Sequence, residues 1–243
     1  MYVDGASRFD SVERVTTTTS TNSVLAERAR AGAPEGLVLV ADYQSQGRGR
    51  FDRSWEAPPG ACLLMSVLLR PPLPELPPSR RHLAVGALSL AVREAAAGLS
   101  GADVRLKWPN DVMAGVMAGA KLAGVLAEAV GGDAIVVGAG VNVSWRPPDL
   151  PATSLEELAG HPVDREEVLA RVLQALDRLY GDWESVARLY EDHCATIGRH
   201  VRAETGEGVV EGVASGVDAD GALLVVQDGR PTRVVAGDVV HVR

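Results

Sequence analysis

The chain has 243 residues, 46% of them hydrophobic, and a formal net charge of −8 at neutral pH. That length suits one large domain with a small appendage and is enough to bury a real core. The negative balance speaks against general nucleic-acid binding, because phosphates demand a basic surface. No run of about 18 apolar residues is free of charges and breakers, which speaks against a membrane-spanning helix.

Taken in chain order, residues 1–10 carry acids and lack the apolar stretch of a signal peptide. The Val- and Thr-rich stretch 11–21 predicts a strand. Ser20, Thr21 and Asn22 then offer caps for a helix over 23–31 that Gly32 closes. The continuous apolar run 36–41 predicts a buried strand, followed by a Gly- and Arg-rich loop from Gln44 to Ser54. A second buried strand is predicted over 61–69, a stiff Pro-rich connector over 71–78, and a helix over 79–98 through Leu83, Ala87, Leu90 and Ala91. Short strands follow at 103–107, 121–130 and 134–143, with turns at 114–119 and Gly131-Gly132. The echo of 112–115 in 116–119 reads as a duplication within that first turn. Helices are predicted over 164–180, with Val168, Leu169, Val172, Leu176 and Leu179 on one face, and over 182–195. From about 199, Val-rich runs alternate with the hairpin signals Thr205-Gly206, Asp220-Gly221 and Asp228-Gly229. The expected architecture is a mixed α+β domain, 1–197, followed by a small β-barrel, 198–243. Cys62 and Cys194 have no metal-ligand spacing and are expected to be reduced, buried thiols of a cytoplasmic protein.

Four segments carry candidate chemistry. In Gly47-Arg48-Gly49-Arg50, with Arg53 and Trp55 behind, the glycines let the backbone approach a ligand and the guanidiniums can fork onto an anion. The same residues also fit a solvated basic loop. Lys107-Trp108-Pro109-Asn110-Asp111 crowds three polar side chains into a turn at a strand end, where sites are commonly built. Lys121 opens the apolar strand that runs on through Gly124; it is either a charge guarding a sheet edge or one aimed into a cavity, where it needs an anionic partner. Gly138-Ala139-Gly140-Val141-Asn142 is a strand whose small residues invite close approach.

Composition singles out the same places. Of 24 basic residues, Lys107 and Lys121 are the only lysines, and Asn22, Asn110 and Asn142 are the only asparagines. In a chain this biased towards Arg, retained Lys and Asn mark positions where substitutes fail. All five lie inside these segments or in Ser20-Thr21-Asn22.

The ordered set Ser20-Thr21-Asn22, Gln44 with Gly47-Arg48-Gly49-Arg50, Lys107 to Asp111, Lys121 to Gly124 and Gly138 to Asn142 resembles the biotin protein ligases, of the biotin–[acetyl-CoA-carboxylase] ligase type. The likeness runs from about residue 15 to the C-terminus, and 212–227 resembles that family's C-terminal barrel. The resemblance implies a catalytic domain related to class II aminoacyl-tRNA synthetases with an SH3-like C-terminal domain. It also implies two half-reactions with Mg²⁺ and ATP, forming biotinyl-5′-AMP and passing biotin to a lysine of a carboxylase's biotin carboxyl carrier domain.

Carried over by motif, Ser20, Thr21, Asn22, Gln44, Gly47 and Gly124 should surround biotin. Arg48, Gly49 and Arg50 should close over biotin and phosphates, and Lys121 should counter charge at the carboxylate and α-phosphate. Arg53, Trp55, Lys107, Asn110 and Asn142 should line the nucleotide side. Lys121 and Arg50 are the expected catalytic residues, and no metal-ligating residue is expected. The loop 45–55 is expected to be disordered until ligand arrives, although Phe51-Asp52 departs from the small or basic residue and Gly that family members often carry there. The few residues before the first strand leave no room for a winged helix-turn-helix, so a non-regulatory enzyme without DNA or membrane partners is expected. The rivals are a lipoate ligase and a non-catalytic biotin-binding module.

Overall fold

The structure, a computed structural model, describes residues 7–114 and 119–242. Its larger part is a mixed sheet of seven strands: β1 (Val12–Thr18), β2 (Val38–Gln44), β3 (Cys62–Leu69), β4 (Val104–Lys107), β5 (Asp111–Ala114), β6 (Ala120–Val130) and β7 (Ala134–Asn142). They lie in the order β1-β2-β3-β7-β6-β5-β4. β1 and β2 run parallel, while the remaining neighbours are antiparallel. β3 is buried along its whole length because both faces of the sheet are covered.

One face packs α1 (Thr21–Arg30) through Leu25, Ala26 and Ala29 against Leu39, Leu68 and Val136. The other face carries α2 (His82–Ser100), α4 (Arg165–Leu179) and α5 (Trp183–Asp192), whose apolar stripes join the main core. The segment Pro78–Ser100 has the length and hydropathy of a membrane span, yet most of its apolar window is buried inside the fold. It is the central core helix. A short α3 (Leu155–Ala159) starts at a capping box in which Ser154 accepts from the Glu157 N–H.

Strands β8 (His200–Thr205), β9 (Gly208–Val217), β10 (Leu223–Gln227), β11 (Arg230–Val234) and β12 (Asp238–His241) form a second, antiparallel sheet ordered β11-β10-β9-β8-β12. It docks on the first through Trp108. The Trp108 indole N–H donates to the Gly221 carbonyl at 3.0 Å, and its backbone N–H donates to Thr196 Oγ1 at 3.0 Å.

Two expectations need correction, and one helix was not anticipated. Residues 112–114 belong to β5, hydrogen-bonded between β4 and β6, so the predicted turn at 114–119 starts too early; 115–118 lie outside the described residues. Four residues are too short a run for periodicity to register against neighbouring Ala and Gly. The helix predicted over 79–98 is a 3₁₀ turn, Pro78–Arg80, followed by α2, which continues to Ser100. The helix α3 has five residues and carries no periodic signal at all.

Candidate active site

A cavity of about 830 Å³ opens on the α1 face of the large sheet, beyond the N-terminus of that helix. Its base is the glycine row Gly124, Gly138 and Gly140, in which Gly124 and Gly140 are directly paired across β6 and β7. Absence of a Cβ is what lets side chains lie flat on the sheet there. A Cβ on Gly140 would overlap the Trp55 indole, and one on Gly138 would overlap the Asn22 amide oxygen.

Beside this row lies a polar floor built from the head of α1. Ser20 holds the N-cap position, and both it and Asn22 are buried. Gln44 Oε1 accepts from the Thr21 N–H at 2.7 Å, which leaves the Gln44 amide nitrogen for another partner. Ser66, from the middle of β3, lies 2.7 Å from Thr21 Oγ1 and donates to Asn22 Oδ1 at 2.6 Å. Asn22 Nδ2 in turn donates to the Leu126 carbonyl at 3.2 Å and to Glu128 at 2.9 Å.

The Gly- and Arg-rich segment forms a miniature hairpin above that floor. Trp55 N–H bonds Gly47 O at 2.9 Å, Arg48 and Ser54 face each other as a bridge, and Gly49 N–H bonds Arg53 O at 2.6 Å. Phe51 and Asp52 form its tip with φ of 53° and 56°, the left-handed region normally left to glycine. Arg48 pairs with Glu128 at 2.5 Å. Arg50 donates to Asn110 Oδ1 at 3.3 Å and to the Gly237 carbonyl at 2.9 Å, and its guanidinium lies 4.8 Å from the centre of the Phe51 ring. Burial pulls the Arg50 pKa below its ordinary value, and the carboxylates of Asp238 and Asp111 partly offset that. Arg53 pairs with Asp238. The hairpin is thus held from two sides, by β6 and by the turn before β12.

Lys121 stands on the wall opposite. Its ammonium is 2.6 Å from Asp111 Oδ1 and 5.7 Å from the centre of the Trp55 ring. The Lys121 backbone is fixed independently: its N–H donates to Pro151 O, and its carbonyl accepts from Thr153 N–H and, at 3.3 Å, from Asn142 Nδ2. Asn142, 1% exposed, also donates to Thr153 O at 2.9 Å, so its amide braces the wall from behind. Asn110 is likewise braced, donating to Val125 O at 2.9 Å while its own carbonyl accepts from Val125 N–H. Lys107, paired with Asp111 across the β4–β5 hairpin, completes this side.

All the residues expected to form a site are therefore brought together, and all but one reach the cavity wall. Gly47 is the exception. It is buried beneath the hairpin, where a Cβ would overlap the Trp55 carbonyl. Sequence reasoning missed several contributors. Ser66 and Glu128 are polar residues flanked by apolar ones within their strands, a usable signal. Asp238 with Val239, and the wall formed by Trp145 and 147–152, carried none.

Comparisons with known proteins identify the family. Residues 12–142 match the model of the biotin/lipoate A/B protein ligase family, and residues 196–242 match that of the biotin protein ligase C terminal domain. The chain is 38% identical to the biotin–[acetyl-CoA-carboxylase] ligase of Mycobacterium tuberculosis, over 99% of this chain and 92% of that protein. It is 33% identical to the bifunctional ligase/repressor BirA of Bacillus subtilis, over 90% of this chain and 70% of that one. Among solved structures, the biotin protein ligase of Aquifex aeolicus in complex with biotin and ATP superposes with a TM-score of 0.82. That match has 29% identity and covers 97% of this chain and 100% of the other. The chain belongs to the biotin/lipoate protein ligase family, with the catalytic and C-terminal domains of its biotin protein ligases.

Proposed function

We propose that this protein is an ATP-dependent biotin–protein ligase, with 1–197 binding biotin and ATP and 198–243 as the C-terminal domain. The observation that carries the reading is the placement of one ammonium, Lys121, between a hydrogen-bonding floor and an aromatic, proline-lined wall within a single cavity. A cyclic urea with a carboxylate tail suits the floor of Gln44, Thr21 and Asn22. A nucleotide base suits the wall of Trp55 and Trp145. The carboxylate and the α-phosphate then meet beside Lys121.

In the first half-reaction the biotin carboxylate oxygen bonds to the α-phosphorus and the bond to pyrophosphate breaks. Charge gathers on the phosphoryl oxygens, and the fixed cations Lys121, Arg48 and Arg50 stabilise it without covalent chemistry of their own. In the second, the free ε-amine of an acceptor lysine attacks the mixed anhydride carbonyl, AMP leaves with the bonding pair, and the amine sheds its proton. The acceptor is a biotin carboxyl carrier domain of a carboxylase. The hairpin 47–55 excludes water from the anhydride in between.

Mg²⁺ would neutralise the triphosphate. Among the described residues no three His, Cys, Asp or Glu side chains converge as a metal cage. This donor set fits an ion that arrives on the phosphates and takes at most one or two carboxylates from the protein, with Asp111 and Asp149 the candidates on the wall. The buried, free Cys62 and Cys194 fit a reducing, cytoplasmic setting, and burial raises the Cys62 pKa to about 11.

Two measurements test the reading. ATP–pyrophosphate exchange is expected to depend on biotin and not on lipoate; exchange driven by lipoate would transfer the assignment to the family's other branch. Labelled biotin is expected to pass to a purified carboxyl carrier domain. Biotin binding without exchange or transfer would leave a binding module in place of an enzyme.

A further inference from the structure

We propose that Glu128 is a positioning residue that couples the biotin floor to the arginine hairpin, an inference that rests on the ligase reading. Glu128 lies on β6 two positions beyond Leu126 and, with Lys121, is one of the two charged side chains of that strand. One of its oxygens, Oε2, accepts both from Asn22 Nδ2 at 2.9 Å and from Arg48 at 2.5 Å. From Asn22 the contacts run on through Ser66 and Thr21 to Gln44. Gln44 and Arg48 stand at the two ends of the same short segment, so the path closes into a ring: Gln44, Thr21, Ser66, Asn22, Glu128, Arg48. Ligand-facing groups of the floor and a guanidinium of the lid share this circuit.

The coupling follows from the cost of leaving the ring open. Asn22 and Ser66 are buried, and the Glu128 side chain is only 28% exposed. A half-buried carboxylate without its cation is poorly solvated, and the Asn22 amide then loses its charged acceptor. Lifting the hairpin removes Arg48 and so loosens Asn22. Reciprocally, a urea ring that fixes the floor favours the Arg48–Glu128 pair and keeps the hairpin down, because coupling between two sites is symmetric. Glu128 touches neither substrate in this scheme; it acts through Asn22 and Arg48.

Glu128→Gln tests the idea, because glutamine keeps an acceptor for Asn22 and removes the charge facing Arg48. The expected result is a KM for biotin in pyrophosphate exchange raised about fivefold, with kcat changed less than twofold. Biotinyl-AMP, formed without acceptor, should escape into solution about fivefold faster. The thermal midpoint should stay close to that of the parent protein. Arg48→Ala should show the same rise in KM and in escape, with a fall in kcat of its own because Arg48 also faces the phosphates, and the double variant should be no worse than Arg48→Ala alone. Parent-like KM and escape rate in Glu128→Gln, or effects that multiply in the double variant, overturn the proposal. A readout independent of catalysis separates the two readings. Trypsin should cut the hairpin at Arg48, Arg50 or Arg53 several-fold faster in Glu128→Gln than in the parent. Equal cutting overturns the coupling even if the parent is an active ligase. A parent without biotin-driven exchange overturns the ligase reading, while the tryptic rates still judge the coupling.

Discussion

At the scale of single residues, the contrast between Lys and Arg carries the chemistry. This chain uses Arg nearly everywhere, yet the cation held against Asp111 at 2.6 Å, beside a glycine base and under the Trp55 ring, is Lys121. A compact ammonium fits there; a planar fork, longer and with fixed donor directions, does not. A Cβ at neighbouring Gly124 would press on the end of the Lys121 side chain, so the base beneath the ammonium is closely fitted. Lys121→Arg is therefore expected to lower biotin-dependent pyrophosphate exchange roughly tenfold or more although its charge is unchanged. Exchange within twofold of the parent would show that charge alone suffices. The asparagines sort differently. Asn110 and Asn142 spend their amide donors on backbone carbonyls of Val125, Lys121 and Thr153, which makes them braces of the wall that presents Lys121.

At the scale of elements, the hairpin 47–55 stores a conflict between sequence and shape. A two-residue tip with both φ positive asks for Asn-Gly, and this chain supplies Phe51 and Asp52. Each residue held there without being glycine costs about 1 kcal/mol, which the Arg53–Asp238 pair, the Arg50–Gly237 bond and the Arg50–Phe51 stack offset. The double substitution Phe51→Asn with Asp52→Gly is expected to stabilise the closed hairpin by roughly 1–2 kcal/mol. Slower tryptic cleavage of this segment, with AMP released more slowly without acceptor, would register the gain. In the parent, biotin with ATP should slow the same cleavage. Equal rates with and without ligand would mean that the hairpin does not respond to what lies beneath it.

For the whole molecule, the junction between the two sheets contributes a pH-dependent part of the stability. His82, at the start of α2, is half-buried, its ring lying between those of Trp108 and Tyr190, at 5.8 and 6.4 Å, and against Gly221 of the C-terminal domain, with its Nε2 enclosed. Its Nε2 has no hydrogen-bond partner among the described residues, and burial followed by the charge of Arg50 lowers its pKa from 6.5 to about 4. The folded protein keeps the imidazole neutral, while the unfolded chain takes up a proton near pH 6.5. The contribution is thus fully present above pH 6.5 and is lost as pH falls towards about 4, some 3 kcal/mol in all. Urea unfolding across this range should show that decline, and His82→Phe should make it shallower. An unchanged slope in the variant would place the pH sensitivity elsewhere. The same junction brings Gly237 and Asp238 to the hairpin, so loosening it should also free the lid.

Much of this protein was legible in its residues. Buried runs and capping signals located β2, β3, β7, α1, α2, α4 and the C-terminal strands, because hydrophobic period is a local property of the chain. The scarce Lys and Asn residues all lie on the cavity wall, so composition alone points to it. β5 and α3 escaped because each is too short to show a period and is held by its neighbours instead. The partners of the motif residues were equally hidden. Which carboxylate faces Arg48, which faces Arg53, and which hydroxyl links Thr21 to Asn22 depend on strand order and on the docking of the second sheet. Those contacts join residues far apart in the chain, where no spacing rule reaches. Sequence alone determined the elements and the chemical groups at hand; only packing decided which charges meet, because desolvated pairing is a property of two surfaces brought together.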